Sequence, residues 1–461
     1  MMRTAILMIV LFLGISVGTL YMQWQDYGQT RNEVNNVPLV HFIDIKYNGK
    51  MLEIHQTVKG LTTPVYTIQV PIDAKQLTYT IGNDKRTLVY DRNGKASVKR
   101  HGHDKLEFHY ILPLPSIKPI WLERWMVLFF SSQPQHLYVQ LTDDTKSGMW
   151  VAGAPLEAVL KKKMSTFYSW SQKGVSSFPL YFHPIELPRN VYGTIEVYGG
   201  RKENVTKWTD VPSFTLVWVK GGMQHLSPTL VVVPETVSLP SLREMYMRTY
   251  YEAYFLPSGE MNTVVADLLT AFTLQKQPVT PKGKAIWQQL TEKLTKDEQK
   301  AFFTAVLKQR GKTLTPAMLD EALSASHAGK TMYFTDSFAT GRPLSLVFTN
   351  EGKIYVNNVL LKQSKAILQN EEVLLPFVDV MSALGYHVRR TGEAVFIEKG
   401  DNRWRFFVNS SIYMKGNDRF GAPAIIIYEI NGRLYMTPDM MQYWFPVQIS
   451  MAERDVIVSS S

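Results

Sequence analysis

Three patterns of apolar and polar residues follow one another along the chain, and each predicts a different kind of structure. Residues 5–22 (AILMIVLFLGISVGTLYM) run without a charge. Eighteen such residues at a helical rise give roughly 27 Å, close to the thickness of a bilayer core, so the stretch predicts a transmembrane helix. Ser16 and Gly18 offer the spacing of a cleaved leader, but the apolar run continues past them to Met22, and an uncleaved anchor is expected.

From 37 to 234 the period falls to two. VHFIDIKY, MLEIHQTV, LEFHYIL, HLYVQL and FTLVWVK are rich in β-branched and aromatic residues, and Asn48-Gly49, Asn93-Gly94 and Gly199-Gly200 break the runs. This predicts a mainly antiparallel β region of one or two sandwich-like units. One helix is expected inside it at 154–164 (APLEAVLKKKM), with Lys161, Lys162 and Lys163 at its negative pole. The stretch 121–130 (WLERWMVLFF) is too charged at Glu123 and Arg124 for a second span and is expected as a core strand.

Near Leu239 the period becomes helical. Ser241-x-x-Glu244 and Thr295-x-x-Glu298 have the form of capping boxes, and Thr280-Pro281 and Thr315-Pro316 that of an N-cap followed by an N1 proline. Gly311 and Gly329 stand where the following helices should stop. A small bundle of about five helices is expected over 238–329, with Leu268, Leu269, Phe272, Ile286, Leu290, Phe302, Val306 and Leu319 in its core.

Strand patterns return after Thr331, and two units about 62 residues apart can be laid over each other, with Pro376 opposite Pro438 and the strand at Val395 opposite that at Ile457. Each unit reads as a strand ending at proline, a short helix opened near Asp379 or Asp439, and a hairpin. Two such units share one core and predict an α+β repeat domain. The expected organisation is therefore multidomain. A cytoplasmic start and anchor (1–24) and a linker (25–36) precede the β-rich region (37–234), a helical domain (238–330) and the C-terminal repeat domain (350–461).

The C-terminal quarter resembles the copper amine oxidase N-terminal-like family, also called stalk domains, which recur in surface proteins of Gram-positive bacteria. The resemblance rests on Val356-Asn357-Asn358, residues 370–376, Ala383-Leu384-Gly385-Tyr386 and the strand 394–398. It implies a noncatalytic module that binds no copper. The second unit departs from the pattern, with Tyr443-Trp444-Phe445-Pro446 where an Ala-Leu-Gly turn is usual. The Asn-Tyr-Asp or Asn-Tyr-Glu motif of a quinone-forming oxidase is absent from the sequence.

Composition narrows the functional classes. The chain has no cysteine, which excludes disulfides, thiolate metal sites and cysteine nucleophiles, and suits an exported bacterial protein, Gram-positive in particular. A formal net charge of +10 favours anionic partners; on an exported chain these are an anionic cell-wall polymer or an envelope protein rather than nucleic acid. The sharpest candidate chemistry is a divalent-metal site at His101, His103 and His109, since two imidazoles one residue apart can share an ion with a third. Lys99, Arg100 and Lys105 oppose a cation there, and an exposed turn is the plainer reading.

No HExxH, GxSxG, Walker or GxGxxG motif occurs in a fitting context, so no catalytic residue and no cofactor is expected. The sequence reads as a single-pass, membrane-anchored protein with its C-terminal region extracellular, acting in binding or scaffolding at the cell envelope. An envelope polysaccharide hydrolase with its site in the β-rich region, and an envelope-sensing regulatory protein, are the alternatives.

Overall fold

A computed structural model describes residues 37–460, apart from 116–118, 132, 201–207, 209–210, 256–258, 328, 342–343 and 370–371. The described chain is mainly β, 42% strand against 21% helix, with eight helices. The longest of these, Glu260–Leu274, has 15 residues. No helix among the described residues is long and apolar enough to cross a membrane, because a span needs about 20 apolar residues. The predicted transmembrane segment at 5–22 and the linker at 25–36 lie outside the described residues. The expected fold class, with an N-terminal transmembrane helix at its head, is corrected accordingly, as is the expected placement in a membrane.

Chain contacts divide the protein into two compact units, the first ending at Tyr246 and the second starting at Met247. The first is organised around an eight-stranded sheet in the order Leu156–Lys161, Thr166–Lys173, Gln135–Asp143, Leu39–Tyr47, Met51–Lys59, Lys105–Pro113, Lys75–Ile81 and Asp84–Thr87. Period-two sequence becomes period-two burial: in LVHFIDIKY, Leu39, Ile43, Ile45 and Tyr47 are buried, and Phe42, Asp44 and Lys46 face solvent. One face of the sheet therefore enters a core with Ile54, Phe108, Tyr110, Leu137, Trp125 and Trp150, and the other stays wet. The sheet is mixed rather than wholly antiparallel, since Leu39–Tyr47 runs parallel to Gln135–Asp143.

A three-stranded sheet (Met149–Ala152, Leu180–His183 and Ile120–Leu122) is buried on both faces. Trp150, Leu180 and Phe182 join the core of the large sheet, whereas Met149, Val151 and Tyr181 pack with Val217, Val219, Leu230 and Val232. Those last residues belong to a five-stranded sheet in which Ile195–Tyr198, Phe214–Val219 and Leu230–Pro234 run parallel. Its inner strands are continuous apolar runs for the same reason: both faces are covered.

Two local expectations change here. The segment expected as a helix at 154–164 contains the edge strand Leu156–Lys161, paired with Thr166–Lys173. The turn that closes this hairpin holds Lys162 and Lys163, and Lys162 N donates to Ser165 O at 2.8 Å. Lysines suit an exposed sheet edge as well as they suit a helix end, because they discourage pairing with another chain. The stretch 121–130 is two short strands, Ile120–Leu122 and Leu128–Phe130, joined by a bend in which Trp125, Met126 and Val127 are fully buried.

In the second unit the helix starts follow the local signals. Thr280 and Thr315 cap Pro281–Lys293 and Pro316–Ser326 through their side chains, and Thr295 and Glu298 form a reciprocal capping box on Lys296–Leu307. Leu239–Glu252, which starts in the first unit and runs across the division, instead begins before Ser241, with Ser238 Oγ accepting from Ser241 N. A further short helix, Tyr333–Ala339, follows the bundle.

Beyond it, the two repeat units meet through the antiparallel strands Glu372–Pro376 and Arg433–Met436, in register Leu375 with Met436. Each strand leads into a seven-residue helix, Phe377–Ala383 and Pro438–Trp444. Their apolar faces, with Phe377, Val380, Met381, Met440 and Met441, close one core with Val395, Ile397, Phe406, Val456 and Val458.

Candidate functional site

Two exposed sheet faces, one in each unit, gather groups that can act on a ligand. The first receives one of the three histidines singled out from the sequence. His109 lies within the strand Lys105–Pro113 and stands in register opposite His55 of Met51–Lys59, and the ring centres are 4.2 Å apart. Glu53, two residues before His55 and so on the same face, places Oε1 3.2 Å from His109 Nε2 and 3.9 Å from His55 Nε2. Burial is the largest influence on His55 and lowers its pKa; His109 lowers it further, whereas Glu53 and Asp44 raise it. His101 and His103 are not brought to this group. Both are exposed in the turn before the strand, His101 in the left-handed region at φ 47° and His103 packed beside Gly82.

The second face belongs to the five-stranded antiparallel sheet His387–Thr391, Ala394–Lys399, Asn402–Phe407, Ile412–Lys415 and Asp418–Gly421. The hairpins set one row straight across it, because Arg389 pairs with Phe396, Phe396 with Arg405, Arg405 with Met414, and Met414 with Arg419. The alternate residues Val395, Ile397 and Phe406 go into the core, which turns this row outward.

Phe396 stands between the first two arginines of the row. The guanidinium carbons of Arg389 and Arg405 lie 4.9 and 5.3 Å from its ring centre, and Arg405 is also 5.2 Å from the ring of Phe407. Such contacts hold a cation in place at about 0.5–1 kcal/mol each when exposed. Arg389, Arg405 and Arg419 have no carboxylate within ion-pair distance among the described residues, and Arg405 Nε is buried without a hydrogen-bond partner. Arg390 differs, forming a two-bond pair with Glu429 at 2.6 and 2.8 Å. The nearest acidic neighbour in register is Glu398, opposite Arg403 in the adjoining row.

A cavity of about 370 Å³ lies in the first unit between Leu156, Gln172, Arg189, Glu196 and Phe214. Its single lining carboxylate is already engaged, since Arg189 and Tyr198 both donate to Glu196. The paired carboxylates that a glycosidase of the usual kind requires are not there.

No protein-family model matches the chain, and no curated protein does. Among solved structures it is similar to an M1 zinc metallopeptidase of Deinococcus radiodurans, as a glutamate-to-alanine mutant, with a TM-score of 0.46 and 12% identity over 68% of this chain and 95% of that one. The same mutant bound to a Tyr-Ser-Ala substrate gives 0.46 and 11% with the same coverage. A two-domain M1 zinc metallopeptidase, also a glutamate-to-alanine mutant and bound to L-tryptophan, gives 0.43 and 12% over 63% of this chain and 91% of that one.

A zinc site of the HExxH type needs two histidines one turn apart on a helix with a glutamate between them. No histidine in this sequence is followed by glutamate, and none of the eight described helices contains a histidine. The residues present do not fit that site, and no peptidase step follows from them.

The expectation of a membrane-anchored binding or scaffolding protein of the cell envelope is corrected at this point. No helix among the described residues is long and apolar enough to cross a membrane.

Sequence reasoning missed Glu53, His55, Arg389, Arg405 and Arg419. A local signal existed for three of them, since Glu53-x-His55 and Arg403-x-Arg405 each put two like-facing polar groups on a strand whose intervening residue is aromatic or aliphatic.

Proposed function

We propose that this protein binds a linear polyanion, holding repeating phosphate groups along the row Arg389, Arg405 and Arg419 of its second unit. The observation that carries this reading is the row itself: three arginines on one exposed face, without carboxylate partners among the described residues, two of them fixed over the ring of Phe396. Arginine is suited to the task because its planar fork donates two parallel hydrogen bonds to one phosphate or carboxylate and keeps its charge at any physiological pH.

Alternate strands place neighbouring arginines of the row roughly 10 Å apart. A flexible polymer can meet that spacing where a small anion meets only one site. The net charge of +10 adds long-range attraction and a faster encounter. A polymer of repeating phosphodiesters has the matching chemistry.

The full chain is passed over immobilised poly(glycerol phosphate) and eluted with a salt gradient. Retention that falls with salt, and that the triple variant Arg389→Ala, Arg405→Ala, Arg419→Ala loses, is the expected result. Equal retention of the variant, or retention on single-stranded DNA without retention on the phosphate polymer, overturns the proposal.

A further inference from the structure

We infer that Glu53, His55 and His109 form a binding site for a divalent transition-metal ion of the zinc class on the exposed face of the eight-stranded sheet. The inference is independent of polyanion binding, since it rests on residues of the first unit alone.

The three side chains offer two imidazole nitrogens and one carboxylate oxygen, all within 4.8 Å of one another. That is a common donor set for zinc, which takes nitrogen and oxygen ligands at roughly 2.0–2.2 Å and is indifferent to d-electron geometry. Tetrahedral coordination at those bond lengths sets ligand atoms roughly 3.3 Å apart. The Glu53 to His109 distance of 3.2 Å already matches this, and the Glu53 to His55 distance of 3.9 Å closes with a small rotation of exposed side chains.

The backbone beneath is fixed. His55 and His109 occupy directly opposed positions on paired strands, and their neighbours Ile54, Gln56, Phe108 and Tyr110 are buried in the core. A site on such a scaffold needs little ordering when the ion binds.

Two further groups bear on the ion. Asp44 stands in register beside His55 on the opposite neighbouring strand, where it can supply a fourth oxygen directly or through water. Lys46 stands opposite Glu53, so a bound dication competes with that ammonium for the carboxylate. The turn histidines His101 and His103 take no part.

The test uses the full chain, stripped with chelator and dialysed. Zinc chloride is titrated by calorimetry and cobalt chloride by visible absorption, where tetrahedral cobalt gives intense bands. One equivalent per chain is expected, with affinity falling at least about tenfold in each of His55→Ala and His109→Ala, and unchanged when His101 and His103 are both replaced by alanine.

No binding by the wild-type chain, undiminished binding in both single variants, or loss of binding with the turn histidines overturns the inference. Circular dichroism checks each variant's fold. Should an alanine variant unfold, Glu53→Gln keeps the shape while removing the charge and carries the same tenfold expectation.

Discussion

The guanidinium carbon of Arg405 lies 5.3 Å from the ring centre of Phe396 on the neighbouring strand, with the buried Nε of Arg405 lacking a hydrogen-bond partner. The ring orients the cation without neutralising it, which a carboxylate in the same place would do. Phe396→Leu should therefore weaken polyanion binding about fivefold to thirtyfold through two lost cation contacts. It should leave the salt dependence unchanged, because the number of charges stays the same. Affinity titrations at several salt concentrations separate the two effects, and a change in slope would assign Phe396 a different role.

The buried His41 makes the first unit sensitive to acid. Burial holds its pKa down at about 4, against an ordinary 6.5, with the neighbouring Gln135 acting the other way. The folded chain keeps this imidazole neutral while the unfolded chain takes up a proton below pH 6.5. The stabilisation is complete above that pH and is lost progressively as pH falls towards 4. The loss is roughly 3 kcal/mol. Urea denaturation at stepped pH should show it, and His41→Gln should flatten the profile between pH 6.5 and 4.

Gln56 acts as a peptide unit inside the core. Its amide donates to Val127 O at 2.8 Å and its oxygen accepts from Val127 N at 2.9 Å, which ties the large sheet to the bend at Trp125, Met126 and Val127. Gln56→Leu preserves volume but strands a buried N–H and a buried C=O. A loss of about 3 kcal/mol in unfolding free energy is expected; a loss under about 1 kcal/mol would show that the bend re-forms its bonds elsewhere.

Helix Pro281–Lys293 carries a glycine where alanine would ordinarily stabilise. Asp267 accepts bonds from Val279 N, Thr280 N and Thr280 Oγ1, and a Cβ at Gly283 would come within 2.6 Å of Asp267 Oδ2. Gly283→Ala should therefore destabilise the second unit by about 1–3 kcal/mol, against a gain of about 1 kcal/mol from helix propensity alone. The denaturation midpoint gives the sign.

Much of the fold was legible because local chemistry and tertiary burial agree. The alternation in LVHFIDIKY became one buried and one wet face, and Thr295 with Glu298 became a capping box. The segment at 154–164 misled because its apolar positions and terminal lysines satisfy a helix and a sheet edge equally; pairing with Thr166–Lys173 decided between them.

The sites were less legible, since both depend on strand register. His109 drew attention as a histidine near others, but its neighbour Glu53 is 56 residues away along the chain. The arginine row requires four hairpins in register, each set by a turn whose exact length periodicity does not resolve.

Polyanion binding along the arginine row should show itself in the salt dependence of affinity. Fluorescently labelled poly(glycerol phosphate) is titrated with the full chain across a salt series, beside the variant Arg389→Gln, Arg405→Gln, Arg419→Gln. With each arginine releasing counterions as on a flexible polyanion, the slope of log Kd against log salt should be shallower by about 2 in the variant. Equal slopes and equal affinities for the two proteins would contradict the assignment of this face as the polyanion site.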